Sequence, residues 1–154
     1  MINKLIEKLY LMQKDNLVYY DSLTHVKTRM YYDRVCKIKY LKYKCYIMFV
    51  DIDSLKKIND TQGHQQGNVV IQRVAQQLNS LEGLYDVCRI GGDEFVAFLS
   101  KDFDFSQMSK IKQISYGYCL KDEYSDISYA CEIADSYMYI HKNKKKKKKA
   151  SKSK

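Results

Sequence analysis

The sequence contains no proline and no tryptophan, and it has only six glycines among 154 residues. This composition excludes collagen-like and linker-rich chains. No apolar run approaches the roughly 20 residues that a membrane-spanning helix needs, and the N-terminus lacks the pattern of a signal peptide. The five cysteines form no C-x-x-C pair, which is typical of reduced thiols. We therefore expect a cytoplasmic protein.

The positive charge of the chain is confined to its C-terminal end. The formal net charge is +9, but residues 142–154 hold nine lysines and no acidic residue. Removing these nine from the 27 basic residues leaves 18 against 18 acidic ones. A length of 154 residues and a hydrophobic share of 45% indicate one globular domain. The sequence thus predicts a neutral domain that carries a basic tail.

Hydrophobic periodicity predicts the order of the secondary structure. Helical spacing of apolar residues predicts helices over 2–20, 29–43, 67–81 and 127–141. Short apolar or alternating runs predict strands over 46–50, 85–90, 95–99 and 113–119. Between the last two strands there is room for a turn or two of helix. The resulting order, βαββαβ after N-terminal helices, predicts an α+β fold: a ferredoxin-like split βαβ antiparallel sheet with helices on one face.

Four carboxylates are predicted to meet at one end of this sheet. Asp51 and Asp53 end the first strand, and Asp93 and Glu94 lie in the hairpin between the next two. Asp51 and Asp53 point to opposite faces if the strand stays extended, so at most one of them lies directly in line with Asp93. Hard divalent cations prefer oxygen ligands, and Mg²⁺ commonly combines one or two carboxylates with substrate phosphates. Solvated acidic residues at a strand end are the alternative interpretation.

Several motifs occur in a fixed order along the chain. They are D-x-LT at 21–24, DID at 51–53, IND at 58–60, GH at 63–64, GGDEF at 91–95 and S-x-G at 115–117. Together they resemble the GGDEF family, the catalytic domains of diguanylate cyclases, over residues 21 to about 146. The resemblance is to a minimal, stand-alone version of that domain. It divides the chain into an N-terminal helix (1–20), a GGDEF-like catalytic domain (21–142) and a Lys-rich disordered tail (143–154).

The resemblance implies a palm-like fold and a reaction. Two antiparallel protomers would each hold one nucleoside triphosphate, and each 3′-hydroxyl would attack the α-phosphate of the other, which yields a cyclic dinucleotide and pyrophosphate. Asp51, the carbonyl of Ile52 and Asp93 would hold Mg²⁺ or Mn²⁺, and Asp93 or Glu94 would assist deprotonation. The nucleotide-binding residues implied are Lys56, Asn59, Asn68, Gly91, Gly92, Lys142 and Lys146.

The base-binding motif departs from the family pattern at one position. The family's GH-x-x-GD ends here in Asn68. The usual Asp accepts hydrogen bonds from the guanine edge, whereas an amide offers one donor and one acceptor and is better matched to adenine. GTP is the expected substrate, and ATP is the alternative, which would give an adenine-containing product. A non-catalytic nucleotide-binding or partner-binding module is the third hypothesis.

The lysine-rich tail admits three interpretations. It is a solvated disordered segment, a contact for nucleic acid or an anionic membrane surface, or a source of phosphate-binding lysines near Lys142 and Lys146. At the other end of the chain, an apolar stripe in the first helix could pair two protomers or pack on the domain. That stripe consists of Ile2, Leu5, Leu9 and Met12.

Overall fold

The computed structural model describes residue 6 and residues 18–152. The predicted N-terminal stripe lies outside the described residues and stays a prediction. Within the described part, no helix is both long enough and apolar enough to cross a membrane.

Within the described residues, the helices and strands occur in the predicted order, together with a strand at 27–28 and a helix at 55–62 that were not predicted. The strands are β1 (Lys27–Thr28), β2 (Cys45–Ile52), β3 (Leu84–Arg89), β4 (Glu94–Ser100) and β5 (Ile114–Lys121). A helical segment, α1, is α-helical over Arg29–Tyr31, π-helical over Tyr32–Cys36 and α-helical again over Lys37–Lys39. The remaining helices are α2 (Leu55–Gln62), α3 (His64–Asn79) and α4 (Ile127–Lys152), and a 3₁₀ helix spans Phe105–Lys110.

The predicted α+β fold is confirmed, with one addition to the sheet. The strand order is β1-β3-β4-β2-β5, and the pairs β3–β4, β4–β2 and β2–β5 are antiparallel. These four strands have the order of a ferredoxin-like split βαβ sheet. The short strand β1 pairs with β3 in parallel, so the complete sheet is mixed rather than antiparallel.

Helices cover both faces of the sheet, not one face as predicted. Val74 and Leu78 of α3 pack with Met48 and Val50 in one core cluster. On the other face, α1 and α4 pack in a second cluster that includes Ile47. Alternate residues of β2 therefore enter different cores. An unbroken apolar strand of this kind needs cover on both sides, which explains the second layer.

The C-terminal lysines continue the last helix, contrary to the prediction of a disordered tail from residue 143. Helix α4 runs without a break to Lys152. Its N-terminal half is anchored by buried residues such as Ala130, Ala134 and Met138. Extending a formed helix costs little for lysine, whose helix propensity is high. Ion pairs between lysines 142 and 145 and the sheet hold the next turns in place.

Candidate active site

Asp51 lies at the end of β2, between two neighbouring strands. It pairs in register with Glu94 on β4 and with Ser115 on β5. The residue is only 4% exposed. The strand register thus brings the DID and GGDEF motifs together at one end of the sheet, as the sequence predicted.

The Asp51 carboxylate has one bound oxygen and one unpaired oxygen. Lys142 Nζ donates to Oδ2 over 2.6 Å. Oδ1 is buried and has no hydrogen-bond partner. Burial raises the pKa of Asp51 above its ordinary value, and the nearby Asp93 and Asp53 charges raise it further. This outweighs the opposing effect of Lys142. A buried acceptor without a partner is costly, which indicates a site prepared for a cation.

Asp53 is held in a separate network, on the side of β5. Ser115 Oγ donates to its Oδ1 over 2.6 Å, and Lys145 Nζ donates to its Oδ2. Lys145 also donates to the carbonyl of Ile114 over 2.6 Å. Asp53 therefore serves to anchor α4 to the sheet.

The GGDEF turn is fixed beside β2 by main-chain hydrogen bonds. Ile90 N and Gly91 N donate to the carbonyl of Glu94 over 2.9 and 3.3 Å, which closes the turn. Ile52 N donates to the carbonyl of Asp93 over 2.9 Å. The main chain of Asp93 is consequently held next to the end of the DID motif.

Arg89 joins the D-x-LT motif to the GGDEF turn. Its Nη1 donates to both carboxylate oxygens of Asp21, over 3.1 and 3.3 Å, and its Nη2 donates to the carbonyl of Gly92 over 2.8 Å. Burial alone would raise the pKa of Asp21. Hydrogen bonds from Thr24 and Arg89 outweigh that effect and hold the pKa below its ordinary value. Asp21 and Arg89 thus act as positioning residues for the turn.

A cavity of about 520 Å³ opens in front of Asp51 and Glu94. Helix α4 contributes the other wall, and the residues that matter for charge there are Asp135, Lys142 and Lys146. Burial raises the pKa of Glu94, and the charges of Asp93, Asp51 and Asp135 add to this effect. The cavity therefore combines a carboxylate of raised proton affinity with two ammonium groups.

The donor set fits a hard divalent cation. Asp51 offers a buried, unpaired oxygen, and Asp93 lies next to Ile52, whose carbonyl is the third expected ligand. Within residues 18–152, no three His, Cys, Asp or Glu side chains converge as a complete metal-holding group. A site with few protein ligands is the usual one for Mg²⁺, which keeps waters and takes substrate phosphates as the other ligands.

Three of the predicted nucleotide-binding residues lie on α2 and α3. Lys56 is exposed on the first turn of α2, and Asn68 is exposed on α3. Asn59 packs against Gly67, where an added Cβ would come within 1.8 Å of Asn59 Oδ1. That oxygen is buried and unpaired. None of these three residues lines the cavity beside Asp51.

Two features of the site were missed by the sequence reasoning. Asp135 and Tyr139 line the cavity but had no assigned role. Their spacing with Lys142 and Lys146 is i, i+4, i+7 and i+11, which places all four on one helix face. A search for residues at this helical spacing would have identified Asp135 and Tyr139. The Asp53–Lys145 pair has no comparable local signal.

The sequence is similar to known proteins of one family. The family description "Diguanylate cyclase, GGDEF domain" matches residues 18–112. Diguanylate cyclase DgcP of Escherichia coli is 34% identical over 98 residues, which cover 58% of this chain and 29% of that protein. Diguanylate cyclase A of Treponema denticola is 31% identical over 104 residues, covering 61% of this chain and 28% of that protein. The chain thus spans less than a third of these relatives.

A solved structure shows the same fold. It is the coiled coil and GGDEF domain of DgcB from Caulobacter crescentus in complex with c-di-GMP, with a TM-score of 0.77 and 21% identity. The superposition covers 92% of this chain and 88% of that one. Because the family match spans more than half of the sequence and the strand register assembles its motifs at one site, the chain belongs to the GGDEF domain family.

Proposed function

We propose that this protein is a metal-dependent nucleotidyltransferase that condenses two molecules of GTP into a cyclic dinucleotide. The observation that carries the proposal is Asp51, a buried carboxylate with one unpaired oxygen beside the GGDEF turn. Mg²⁺ or Mn²⁺ held by Asp51, the Ile52 carbonyl and Asp93 would polarise the phosphates and lower the pKa of the attacking hydroxyl. Because the reaction consumes nucleoside triphosphates, we place the protein in the cytoplasm.

The residues of the cavity would bind the triphosphate and accept the hydroxyl proton. Lys142 and Lys146 face the cavity from α4 and would bind the triphosphate, where their charge offsets that of the leaving pyrophosphate. The 3′-hydroxyl oxygen forms a bond to the α-phosphorus, and the bond to the β-phosphate oxygen breaks. The hydroxyl proton passes to Glu94 or Asp93. The raised pKa of Glu94 suits it to accept that proton.

The reaction needs two copies of the chain. Each site holds one triphosphate, and each hydroxyl must reach the phosphorus of the other nucleotide. Two sites facing each other in an antiparallel homodimer satisfy both requirements. The open cavity between Glu94 and α4 is the face that would meet the partner.

The choice of base is assigned to the corner between α2 and α3. Asn59 presents a buried, unpaired carbonyl oxygen there, and Asn68 follows the glycine that Asn59 contacts. An unpaired acceptor suits a donor on a base edge. Guanine is the expected base, and the amide of Asn68 supports adenine as the second candidate.

The proposal is tested by incubating the purified protein with Mg²⁺ or Mn²⁺ and with GTP, ATP or both. The products are then identified by mass spectrometry. Cyclic di-GMP is the expected product. An adenine-containing cyclic dinucleotide would assign the base choice to Asn68. If a folded protein forms no product in any mixture, the cyclase proposal fails and the domain is a binding module.

Replacing Asp93 distinguishes the loss of a metal ligand from the loss of the folded structure. We expect Asp93→Ala to abolish turnover while the thermal unfolding midpoint stays near that of the wild type. Asp102→Ala is the matched control, because its side chain is 79% exposed and forms no part of the cavity. Retained turnover in Asp93→Ala would refute the role of this carboxylate.

A further inference from the structure

A second cavity, separate from the carboxylate site, is lined by three tyrosines and a glycine. It measures about 320 Å³ and is formed by Tyr116, Gly117, Tyr118 and Tyr137. The first three belong to β5, which is an edge strand of the sheet, and Tyr137 comes from α4. Tyr118 is 39% exposed and Tyr137 is 56% exposed. Three tyrosines therefore surround an open pocket on the surface.

The pocket forms because α4 lies directly on Gly117. A Cβ at this position would stand 2.0 Å from Met138 N and 2.3 Å from the carbonyl of Ala134. Only glycine permits this approach, which brings Tyr137 beside the tyrosines of the edge strand.

The two tyrosines of β5 are neighbours on the same face of the strand. Tyr118 stacks on Phe105, with ring centroids 3.8 Å apart. The Tyr116 and Tyr118 rings are nearly parallel, and their centroids are 6.4 Å apart, the spacing of alternate residues along a strand. The edge strand thus carries a row of flat aromatic surfaces.

A row of lysines leads away from this pocket along α4. The helix runs antiparallel to β5: Met138 lies at Gly117, and Lys145 lies at Ile114. Lys144 and Lys148 follow Tyr137 by seven and eleven residues, so they share its face of the helix. Both are exposed, and residues 142–152 contain no acidic side chain.

We propose that the tyrosine pocket and the lysine row form a binding site for single-stranded nucleic acid. A base would stack on a tyrosine of the pocket, and the phosphates that follow it would lie along Lys144 and Lys148. Stacking on aromatic side chains combined with a basic track is the general means by which proteins bind single strands without reading their sequence.

The structure favours nucleic acid over an anionic membrane. Between His141 and Lys152 the helix has Ala150 as its single apolar residue, so it has no apolar face to insert into a lipid surface. The aromatic rings form a concave pocket rather than a protruding surface. Both features suit a base and a phosphate chain.

The test is fluorescence anisotropy of a fluorescein-labelled 15-nucleotide oligouridylate, titrated with the full chain at several salt concentrations. We expect binding that weakens with salt. Tyr137→Ala should weaken it about 5- to 160-fold, the range for loss of one stacked base. Tyr118→Phe keeps the ring and should bind like the wild type. Tyr124→Ala, which removes a tyrosine that is 94% exposed elsewhere, is the control.

The lysines are tested by the salt dependence. Lys144→Ala combined with Lys148→Ala should reduce the slope of log K against log salt by about 1.4, because each phosphate contact to a single strand contributes about 0.7. Lys42→Ala combined with Lys44→Ala removes the same charge from an exposed loop and should leave the slope unchanged.

Three results would overturn the proposal. In the first, Tyr137→Ala binds as tightly as the wild type, which would show a purely electrostatic contact. In the second, a duplex of the same length binds equally well. In the third, vesicles of phosphatidylserine and phosphatidylcholine bind the protein while the oligonucleotide does not, which would assign the lysine row to a membrane. None of these measurements depends on cyclase activity.

Discussion

Replacing Gly117 by alanine should loosen the attachment of α4 and disrupt both sites at once. The new methyl group would stand 2.0 Å from the Met138 nitrogen, whereas carbon contacts are relaxed at about 3.5–4.0 Å. The obstacle is main chain on both sides, so it cannot rotate away. The helix must retreat by about 1.5 Å.

That retreat has an energetic cost and a functional one. Overpacking of this kind costs about 1–3 kcal/mol. A domain of this size loses roughly 2–4 °C in Tm for each kcal/mol. The Lys142–Asp51 contact of 2.6 Å would lengthen beyond hydrogen-bond distance if the helix moved as a rigid body. We therefore expect lower stability together with lower cyclase activity.

The assay is urea or thermal unfolding, with Gly92→Ala as the matched control for stability. A Cβ at Gly92 meets no atom within 4 Å, so that variant should unfold within about 0.5 kcal/mol of the wild type. If Gly117→Ala unfolded at the wild-type midpoint, the close approach of α4 to β5 would be wrong. The tyrosine pocket, which depends on that approach, would be refuted with it.

Three further predictions concern the base and the titratable groups. Asn68→Asp should raise the ratio of GTP to ATP turnover, and an unchanged ratio would remove the base-selection argument. Because the pKa of Glu94 is raised above 4.5, activity should fall on the acid side at a higher pH than for an ordinary glutamate. Glu94→Gln should abolish that limb of the pH–rate profile. The pKa of Asp21 is lowered below 3.8, so its ion pair stabilises the fold above that pH, and this contribution is lost as the pH falls through the lowered value. Urea unfolding should show Asp21→Asn to be destabilised at pH 7, with a gap to the wild type that narrows in acid.

The parts of the fold that follow from local patterns were predictable. The unbroken apolar run of β2 and the Gly-Gly turn before β4 predicted a buried strand and a hairpin, and both are present. Helix α2 was missed because Leu55–Gln62 is largely polar and begins after Ser54, whose φ of 62° is left-handed. The two-residue strand β1 is too short to show an alternation of apolar and polar residues. Its pairing with β3 depends on the tertiary fold.

In the site, too, local motifs could be recognised in the sequence, whereas contacts between distant residues could not. Asp51, Asp93 and Glu94 could be placed together because each belongs to a recognisable motif at a strand end. The anchoring of Asp53 by Lys145 joins residues 92 positions apart. No spacing rule predicts it. The same is true of the tyrosine pocket, which depends on β5 being an edge strand and on α4 crossing it at Gly117.

The course of α4 shows how one helix could contribute to both of the proposed sites. A run of lysines is expected to be disordered because like charges repel and no apolar face holds them. Here Lys142 and Lys145 are each paired with a carboxylate at the end of β2, so two of the lysines are held at the sheet. The helix is thereby fixed while the lysines on its other faces stay exposed. Asp51→Ala combined with Asp53→Ala should therefore fray the helix beyond residue 142. Faster amide hydrogen exchange there would be the expected result, and unchanged protection would show that the helix persists without its ion pairs.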